Sequence, residues 1–338
     1  MHLETMKAAV LQVVGSIENL HYSDISKPEP KPGEALIRIN AAALNHRDLW
    51  IVFGKYAKIQ VPAVLGSDAC GTVEQVGDMK DNIWVGRRVV VHPGLFWGNN
   101  PKAQGKNYKI LGMPDQGTLA EYVTVPVENL AEAPGHLSDE EAAALPLAGL
   151  TAYRALMKQG KADAGETVVI TGIGGGVAAL TLQMAMTVGA QVVVTSGHDE
   201  KIARALSLGA SAGYNYKATD MFKKMASDGI EPDLIVDGTG GASFGEWLNL
   251  MKPGGRYVTY GATNGNPEHI DLRKIFWKQL TIQGSTMGTI DDFRAMIKIY
   301  DQYRLKPAVD KVFSLAECRS AFHRMESSEQ FGKIILKP

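Results

Sequence analysis

Four glycines lie close together near the middle of the chain, at Gly172, Gly174, Gly175 and Gly176. The apolar run TVVIT precedes them, and the segment 177–188 that follows has the composition of a helix. Glycines at such a strand-to-helix junction allow a tight turn, while the helix N-terminus offers N–H donors to a pyrophosphate. The motif therefore predicts a dinucleotide site, with Val177 in the first helical turn. A glycine-rich connector that binds nothing is the alternative.

The next strand-like run, QVVVTS, reaches Ser196 with no carboxylate at its tip. Sites for NAD usually place an Asp or Glu there to accept from the ribose 2′-hydroxyl. Asp199 lies further along, in what reads as the next helix. Ser196, Lys201 and Arg204 could instead hold a 2′-phosphate, so we expect NADPH rather than NADH. The alternative is that Lys201 and Arg204 form an ordinary solvated helix face.

The elements that must position these residues differ along the chain. From residue 7 to 91, short β-rich pieces alternate with Pro and Gly, which indicates a barrel-like β domain. After residue 128, strand and helix patterns alternate, which is typical of a parallel sheet built from βαβ units. A length of 338 residues also favours two domains. The predicted fold class is α/β, with a doubly wound nucleotide-binding domain beside a β-rich domain.

Composition narrows the range of partners. The chain has 35 Lys and Arg against 36 Asp and Glu, a formal net charge of -1, which gives no electrostatic case for nucleic acid or an anionic membrane. No run approaches the roughly 20 apolar residues of a membrane span. The two cysteines, Cys70 and Cys318, suit a reducing compartment. We expect a cytoplasmic protein with a small-molecule partner, in which residues 1–5 form an extension before the first strand.

Several motifs occur in an order that resembles the medium-chain dehydrogenase/reductase superfamily. They are LGSDACGTV from residue 65, GTLAEYV from 117, GLTAY from 149, the glycine loop, and GKIIL from 332. The resemblance implies a GroES-like catalytic domain over 1–127 and 286–338 and a Rossmann domain over 128–285. It also implies a homodimer or homotetramer, paired through a sheet edge near 280–284.

The superfamily has zinc-dependent and zinc-free branches, and the resemblance allows a choice between them. The zinc ligands of the first branch would fall at Asn45, at Ser67 and near Ala148, none of which is a strong ligand. The proton-relay Ser or Thr would fall at Arg47, which does not release a proton at neutral pH. We therefore expect no metal. A site improvised from His46 and nearby aspartates is the alternative.

The zinc-free branch supplies expected roles for the remaining residues. Asn45 and Tyr56 match positions in the quinone reductases, so Tyr56, Asn45 and His46 are the candidate catalytic donors to a substrate carbonyl. Tyr216 matches a tyrosine that helps bind the 2′-phosphate, although it also reads as an ordinary buried strand residue. The resemblance assigns further cofactor contacts to Thr151, Thr239, Gly261, Ala262 and Thr263.

The resulting hypothesis is an NADPH-dependent reductase of quinones or α,β-unsaturated carbonyls that acts by direct hydride transfer. In such a reaction the cofactor carries the chemistry, and the protein orients the electrophile. A proton can come from Tyr56 or from water. One alternative is a zinc-dependent alcohol or aldehyde dehydrogenase of the same superfamily. Another is a non-catalytic NADPH-binding interaction protein, because fold does not fix function.

The long segment 92–116 has no recognisable helix or strand. In the zinc branch this loop carries four cysteines around a structural zinc, but here it contains none, and His92 with Asp115 would be a poor ligand set. We expect an apolar cluster to hold the loop instead. Its candidate members are Leu95, Phe96, Trp97, Tyr108, Ile110 and Leu111, with Phe96 and Trp97 substantially buried.

Overall fold

A computed structural model describes residues 4–338, so the first three residues of the expected extension lie outside the described part. The strands are β1 Thr5–Leu11, β2 Leu20–Ser26, β3 Glu34–Ala43, β4 Ala63–Val64, β5 Asp68–Val76, β6 Arg88–Val91, β7 Gly94–Leu95, β8 Lys109–Ile110, β9 Tyr122–Pro126, β10 Leu130–Glu132, β11 Thr167–Ile170, β12 Gln191–Ser196, β13 Ala212–Asn215, β14 Leu234–Asp237, β15 Arg256–Thr259, β16 Thr281–Gly284, β17 Val309–Ser314 and β18 Lys333–Lys337. The α-helices are α1 His46–Val52, α2 Asp139–Ala143, α3 Pro146–Tyr153, α4 Gly176–Val188, α5 Asp199–Ser207, α6 Met221–Ser227, α7 Phe244–Leu250, α8 Leu272–Trp277, α9 Ile290–Gln302 and α10 Cys318–Glu326.

The chain forms two compact units. The first comprises the residues up to Leu150 together with Gly288–Pro338, and the second is Thr151–Met287. The first unit therefore extends past the predicted boundary at 127, because β10 pairs with β6 and α2 packs on β3 and β5. Between residues 4 and 338, no helix is long and apolar enough to cross a membrane.

The first unit is built around a mostly antiparallel sheet in the order β10-β6-β5-β3-β18-β17, with β9 also paired to β3. A smaller sheet has the order β2-β1-β4. Alternating apolar residues of these strands and of α10 form one buried core. Pairing of β3 with β5 sets Ala43 opposite Asp68, and pairing of β3 with β18 sets Ala43 opposite Ile335. The register thus places Asp68 and the start of β18 beside the segment that leads into α1.

The second unit confirms the predicted doubly wound domain. Its sheet is parallel throughout, in the order β13-β12-β11-β14-β15-β16. The strand order reverses at β11, the strand that leads into the glycine loop, with β12 on one side and β14 on the other. In open sheets of this kind, ligands bind beyond the carboxyl ends of the strands at that reversal.

Candidate active site

The most unusual side chain of the first unit is Arg47, in the first turn of α1. Its guanidinium is buried, although arginine is almost never fully buried unless it is paired. Its Nη1 atom donates to Ser67 Oγ at 2.7 Å and to the Leu111 carbonyl at 2.9 Å. The Ser67 hydroxyl donates to the same carbonyl at 2.7 Å. Three distant parts of the sequence therefore fix one cationic group.

Two tyrosines complete the surroundings of Arg47. Its Nε donates to the Tyr56 hydroxyl at 3.4 Å, and its guanidinium lies 5.0 Å from the Tyr56 ring centroid. Burial raises the pKa of Tyr108, and the charge of Arg47 opposes that rise, so its phenol remains neutral at physiological pH. Arg47 Nη2 and the Tyr108 hydroxyl are both buried without a hydrogen-bond partner among residues 4–338.

Asn45, a predicted catalytic donor, belongs to a buried polar network. Its Nδ2 donates to Asp68 Oδ2 at 2.9 Å, and its Oδ1 accepts from Lys333 Nζ at 2.6 Å. Lys333 also donates to Asp68 Oδ2 at 2.9 Å, and the Leu147 backbone N–H donates to Asp68 Oδ1 at 2.8 Å. The amide of Asn45 thus links a buried ion pair. Lys333 lies in the GKIIL segment near the C-terminus, and its local sequence gives no sign that it is buried in an ion pair.

The neighbours of Asn45 are arranged differently. Asp48 is buried and accepts from the backbone N–H groups of Asn45 and Gly66, and burial raises the pKa of its carboxyl. His46, the third predicted catalytic residue, is exposed at the start of α1. Asp48 and Asp68, the aspartates that could join His46 in an improvised metal site, therefore both already accept hydrogen bonds from N–H groups.

The residues of this unit do not fit a catalytic zinc ion. Asn45 and Ser67 are held in hydrogen bonds, and residues 146–149 (PLAG) offer no ligand atom on a side chain. The guanidinium beside Ser67 would also repel a divalent cation. Among residues 4–338, no group of three or more His, Cys, Asp or Glu side chains is arranged to hold a metal.

The long loop is held partly as expected. Trp97 is buried at 6% exposure, contacts Tyr108 edge-on at 5.3 Å between ring centroids, and donates to the Asn100 carbonyl. The prediction for Phe96 is wrong, because its side chain is 47% exposed. Phe96 follows the end of β7 at Leu95 and has a left-handed backbone with φ 58°, so its side chain does not continue the strand. Burial of Trp97 positions the segment that carries Tyr108.

The two polar residues of this loop also have other partners than a metal. His92 is buried. Its Nδ1 is hydrogen-bonded to Asn129 Nδ2 at 3.0 Å, and its Nε2 is hydrogen-bonded to the Gly288 carbonyl at 3.2 Å. Burial lowers the pKa of His92 to about 4. Asp115 pairs with Lys109 at 3.2 Å near the surface. Hydrogen bonds, together with Trp97, hold this segment.

The glycine loop of the second unit has the geometry of a phosphate cradle. Gly175 is the N-cap of α4 and makes no side-chain capping bond, so the N–H groups of Gly176 and Val177 begin the helix without a side chain over them. Gly174 has φ 114°, and a Cβ there would lie 2.6 Å from Lys201 Cδ. Only glycine suits that position, and Lys201 lies against the loop.

Beyond β12, several predicted residues come together around Gly197. Ser196 is buried, and its hydroxyl accepts from the His198 N–H at 3.3 Å. A Cβ on Gly197 would lie 2.8 Å from the Tyr216 ring and 2.9 Å from Lys217 Cε. Tyr216 is half exposed, unlike a buried strand tyrosine. Lys217 is a cation that sequence reasoning missed, because it follows a strand whose end was not aligned with the glycine loop.

Asp199, the carboxylate nearest to this group in sequence, is already engaged. It accepts from Asn215 Nδ2 at 2.7 Å, and Asn215 Oδ1 accepts from the Lys217 N–H at 3.0 Å. The surroundings of Gly197 therefore present the hydroxyls of Ser196 and Tyr216 and the cation of Lys217, a set that suits a phosphate more than a ribose hydroxyl pair.

A buried carboxylate organises the end of β14. Asp237 accepts from the hydroxyls of Thr171 and Tyr257, from the Thr239 N–H at 2.9 Å, from the Thr239 hydroxyl at 2.6 Å and from the Gly240 N–H at 2.8 Å. Burial, with this carboxylate as a second cause, raises the pKa of Tyr257. Thr239 is thus held rigidly at the carboxyl edge of the sheet. The sequence contained no signal for the role of Asp237 beyond its place at a strand end.

The remaining predicted cofactor residues follow the same edge. The N–H and the hydroxyl of Thr263 each donate to the Gly238 carbonyl at 3.4 Å. The Gly261 carbonyl accepts from the Thr259 hydroxyl at 3.0 Å. Ala262 lies between them. Thr151 is buried, with its hydroxyl 3.9 Å from Met287 Sδ. The ends of β14 and β15 therefore bring Thr239 and residues 261–263 together.

Comparisons with known proteins match this architecture. Residues 31–135 match the alcohol dehydrogenase GroES-like domain, and residues 176–302 match the zinc-binding dehydrogenase family. The zinc-type alcohol dehydrogenase-like protein YogA of Leptosphaeria maculans is 33% identical, over 94% of this chain and 94% of that protein. The chain belongs to the medium-chain dehydrogenase/reductase superfamily. As a member of that superfamily it is an oxidoreductase with a nicotinamide cofactor.

Other members of the superfamily differ in their named activities. An acryloyl-coenzyme A reductase of Sulfurisphaera tokodaii is 29% identical over 92% of this chain and 95% of that protein. A crystal structure of an NAD-dependent alcohol dehydrogenase is 35% identical, with a TM-score of 0.91 over 98% of this chain and 100% of that one. Superfamily membership thus leaves a choice between alcohol oxidation and alkene reduction.

Proposed function

We propose that this protein is an NADPH-dependent reductase of α,β-unsaturated carbonyls or quinones, acting by direct hydride transfer without a metal. The observation that carries the proposal is the Arg47 guanidinium, fixed 2.7 Å from Ser67 where zinc-dependent members of the superfamily have a ligand. Alcohol oxidation requires a group that takes up the hydroxyl proton, and a guanidinium cannot do so. A carbonyl acceptor instead develops negative charge, which a guanidinium stabilises.

The protein's contribution to such a reaction is to bind and orient. Bound NADPH would supply a hydride. In the second unit, the N–H groups at the start of α4 would bind its pyrophosphate, and Asp237 holds Thr239 at the edge of the sheet. In the first unit, Tyr56 offers its hydroxyl proton, because its oxygen already accepts from Arg47. Asn45, previously expected to contact substrate, is better assigned to holding Asp68 and Lys333.

The preference for NADPH rests on the residues around Gly197. Ser196, Tyr216 and Lys217 approach this turn, and Lys201 lies against Gly174 of the glycine loop, while the nearby carboxylate of Asp199 is bound to Asn215. A 2′-phosphate would gain charge-assisted hydrogen bonds here, each stronger than a neutral one.

A matched pair of lysine variants tests the cofactor preference. We expect Lys217→Glu to raise the KM for NADPH roughly tenfold, about 1.4 kcal/mol, while the KM for NADH changes less than about twofold. Lys223→Glu, an exposed lysine on α6, is the control and should change neither value. Equal effects of Lys217→Glu on both cofactors would contradict the assignment.

The activity itself is tested by NADPH and NADH oxidation over a panel of enones, quinones and aldehydes, with elemental analysis of the purified protein. We expect the fastest turnover with NADPH and an enone or quinone, and no stoichiometric zinc. Stoichiometric zinc together with alcohol oxidation would replace the proposal with a zinc-dependent dehydrogenase. Cofactor binding without turnover on any acceptor would favour a non-catalytic NADPH-binding protein.

We also propose that two copies pair through the β16 edge of the parallel sheet. β16 ends the sheet, and Ile282 within it is 38% exposed. Leu272, Phe276 and Trp277 of the preceding helix are exposed as well, an apolar surface unusual for a monomer. Sedimentation velocity tests the pairing. Trp277→Glu should shift a dimer towards monomer, and a monomeric wild-type protein would contradict it.

A further inference from the structure

Among the buried polar atoms that lack a hydrogen-bond partner within residues 4–338, two belong to residues of the first unit that interact electrostatically. They are Arg47 Nη2 and the Tyr108 hydroxyl. A buried polar group without a partner costs free energy, and a charged one costs more. Natural proteins seldom leave such groups unpaired unless they have a functional role. Arg47 Nη2 can only donate, and the Tyr108 hydroxyl can donate as well, so a hydrogen-bond acceptor would satisfy both atoms.

The other two nitrogens of the Arg47 guanidinium already have hydrogen-bond acceptors, so only Nη2 is left to bind a ligand. Nη1 has two acceptors, Ser67 Oγ and the Leu111 carbonyl, and Nε has the Tyr56 hydroxyl. A planar guanidinium held at two of its three nitrogens has little freedom to turn. The direction of Nη2 is therefore set before any ligand arrives.

The charge of Arg47 is also not neutralised by an ion pair. The ion pairs in the part of the chain that the structure describes do not include this residue. The nearest acid in the sequence, Asp48, directs its oxygens to the backbone N–H groups of Asn45 and Gly66. The charge of Arg47 acts on the Asp48 carboxyl, whose pKa it lowers against the effect of burial. No ion pair within the described residues joins the two side chains, so the guanidinium can still attract a ligand that carries negative charge.

The long loop supplies the second donor and one of the supports. Tyr108 and Leu111 both belong to segment 92–116, and the ring of Tyr108 packs edge-on against Trp97. Gly112 has φ 90°, and a Cβ there would lie 2.4 Å from the Gly66 carbonyl, so the loop lies directly on the turn before Ser67. The length of this loop is explained if it delivers Tyr108 to Arg47.

We propose that Arg47 Nη2 and the Tyr108 hydroxyl together bind the carbonyl oxygen of the substrate and stabilise the enolate that forms on it. The proposal rests on the reductase function proposed above and assigns its electrophilic group. Hydride adds to the β-carbon, the alkene electron pair moves to the bond between the α-carbon and the carbonyl carbon, and the carbonyl pair moves onto the oxygen. Water then protonates the α-carbon and the carbonyl re-forms. One NADPH and one proton are consumed for each alkene reduced. Ser67 is a positioning residue in this scheme.

Single-turnover oxidation of NADPH by an enone measures the step in question. Removal of a preorganised oxyanion donor lowers such rates by about 10²- to 10³-fold. We expect a loss of that size in Arg47→Met, about tenfold in Tyr108→Phe, and an intermediate loss in Arg47→Lys. Arg38→Met, at an exposed arginine of the same unit, is the control. The Kd for NADPH should stay within about twofold in all four variants, since the cofactor residues lie in the second unit.

A spectroscopic measurement separates this proposal from the proposed function. Acetylacetone resembles the enolate, and the absorption of its enolate form should increase on binding to the NADP⁺-loaded wild-type protein and disappear in Arg47→Met. If the wild type reduces no enone but shows this Arg47-dependent absorption, the reductase function fails and the oxyanion site stands. If Arg47→Met turns over enones within about threefold of wild type, the oxyanion site is refuted. Should Arg47→Met fail to fold, Arg47→Lys decides, with a loss under threefold counting against the proposal.

Discussion

Replacement of Lys333 by Met should destabilise the first unit more than any surface substitution in it. Lys333 and Asp68 form an ion pair at 2.9 Å with side-chain exposures of 4% and 0%, and Asn45 bridges both. Removal of one partner leaves a buried uncompensated charge, which costs about 3–5 kcal/mol. Lys337→Met on the same strand is the matched control. Its pair with Glu140 is exposed, so the expected cost is below about 1 kcal/mol.

The assay is urea unfolding followed by tryptophan fluorescence and far-UV circular dichroism, in a double-mutant cycle. The cycle comprises Lys333→Met, Asp68→Asn and the double variant. In the double variant, no charge is left unpaired, so its cost should fall below the sum of the single costs by about 1.5 kcal/mol or more. Additivity within about 0.5 kcal/mol would show that the two groups do not stabilise each other, and it would refute the assigned role of this network in holding Asn45.

Three further predictions concern the long loop. Because burial lowers the pKa of His92 to about 4, the unfolded chain binds a proton that the folded chain does not between pH 6.5 and 4. The contribution of neutral His92 to the free energy of unfolding is therefore fully present above pH 6.5 and decreases as the pH falls, by up to about 3 kcal/mol. Between pH 7 and 5, the thermal midpoint of the wild type should fall more than that of His92→Gln. Trp97→Ala should cost about 3–5 kcal/mol in urea unfolding because its ring is buried, whereas Phe96→Ala should cost less than about 1 kcal/mol; equal costs would contradict the packing described. Gly112→Ala should unfold at lower urea than Gly86→Ala, since both have positive φ but only Gly112 faces backbone where a Cβ would lie; similar midpoints would show that close approach does not matter there.

Local patterns in the sequence were sufficient to predict the second unit. The run TVVIT, the glycines after it and the following helix are continuous in the chain, and strand–helix alternation admits few topologies. The glycine motif therefore pointed to residues 174–177 from the sequence, whereas Thr239 and residues 261–263 were expected at the cofactor only through the family resemblance.

The surroundings of Arg47 depend on tertiary structure. The sequence alone determined that strong zinc ligands are missing, because that is a matter of residue type at positions 45, 67 and 148. It did not determine what takes their place. Ser67, Leu111 and Tyr108 are 20, 64 and 61 residues from Arg47, and only the folding of the long loop over the turn at Gly66 brings them together.

Burial in the same region shows why the remaining predictions failed or stayed incomplete. Phe96 and Trp97 are adjacent aromatic residues, and no local pattern distinguishes them. The left-handed backbone at Phe96 and the contacts of Trp97 with Tyr108 and Asn100 accompany the exposure of one ring and the burial of the other. Lys333 reads as a surface lysine near the C-terminus, yet pairing of β18 with β3 places it beside Asp68. Residue type and spacing determined the superfamily and the glycine loop. Long-range strand pairing and loop packing determined which charges are buried together, because these depend on contacts between segments far apart in the chain.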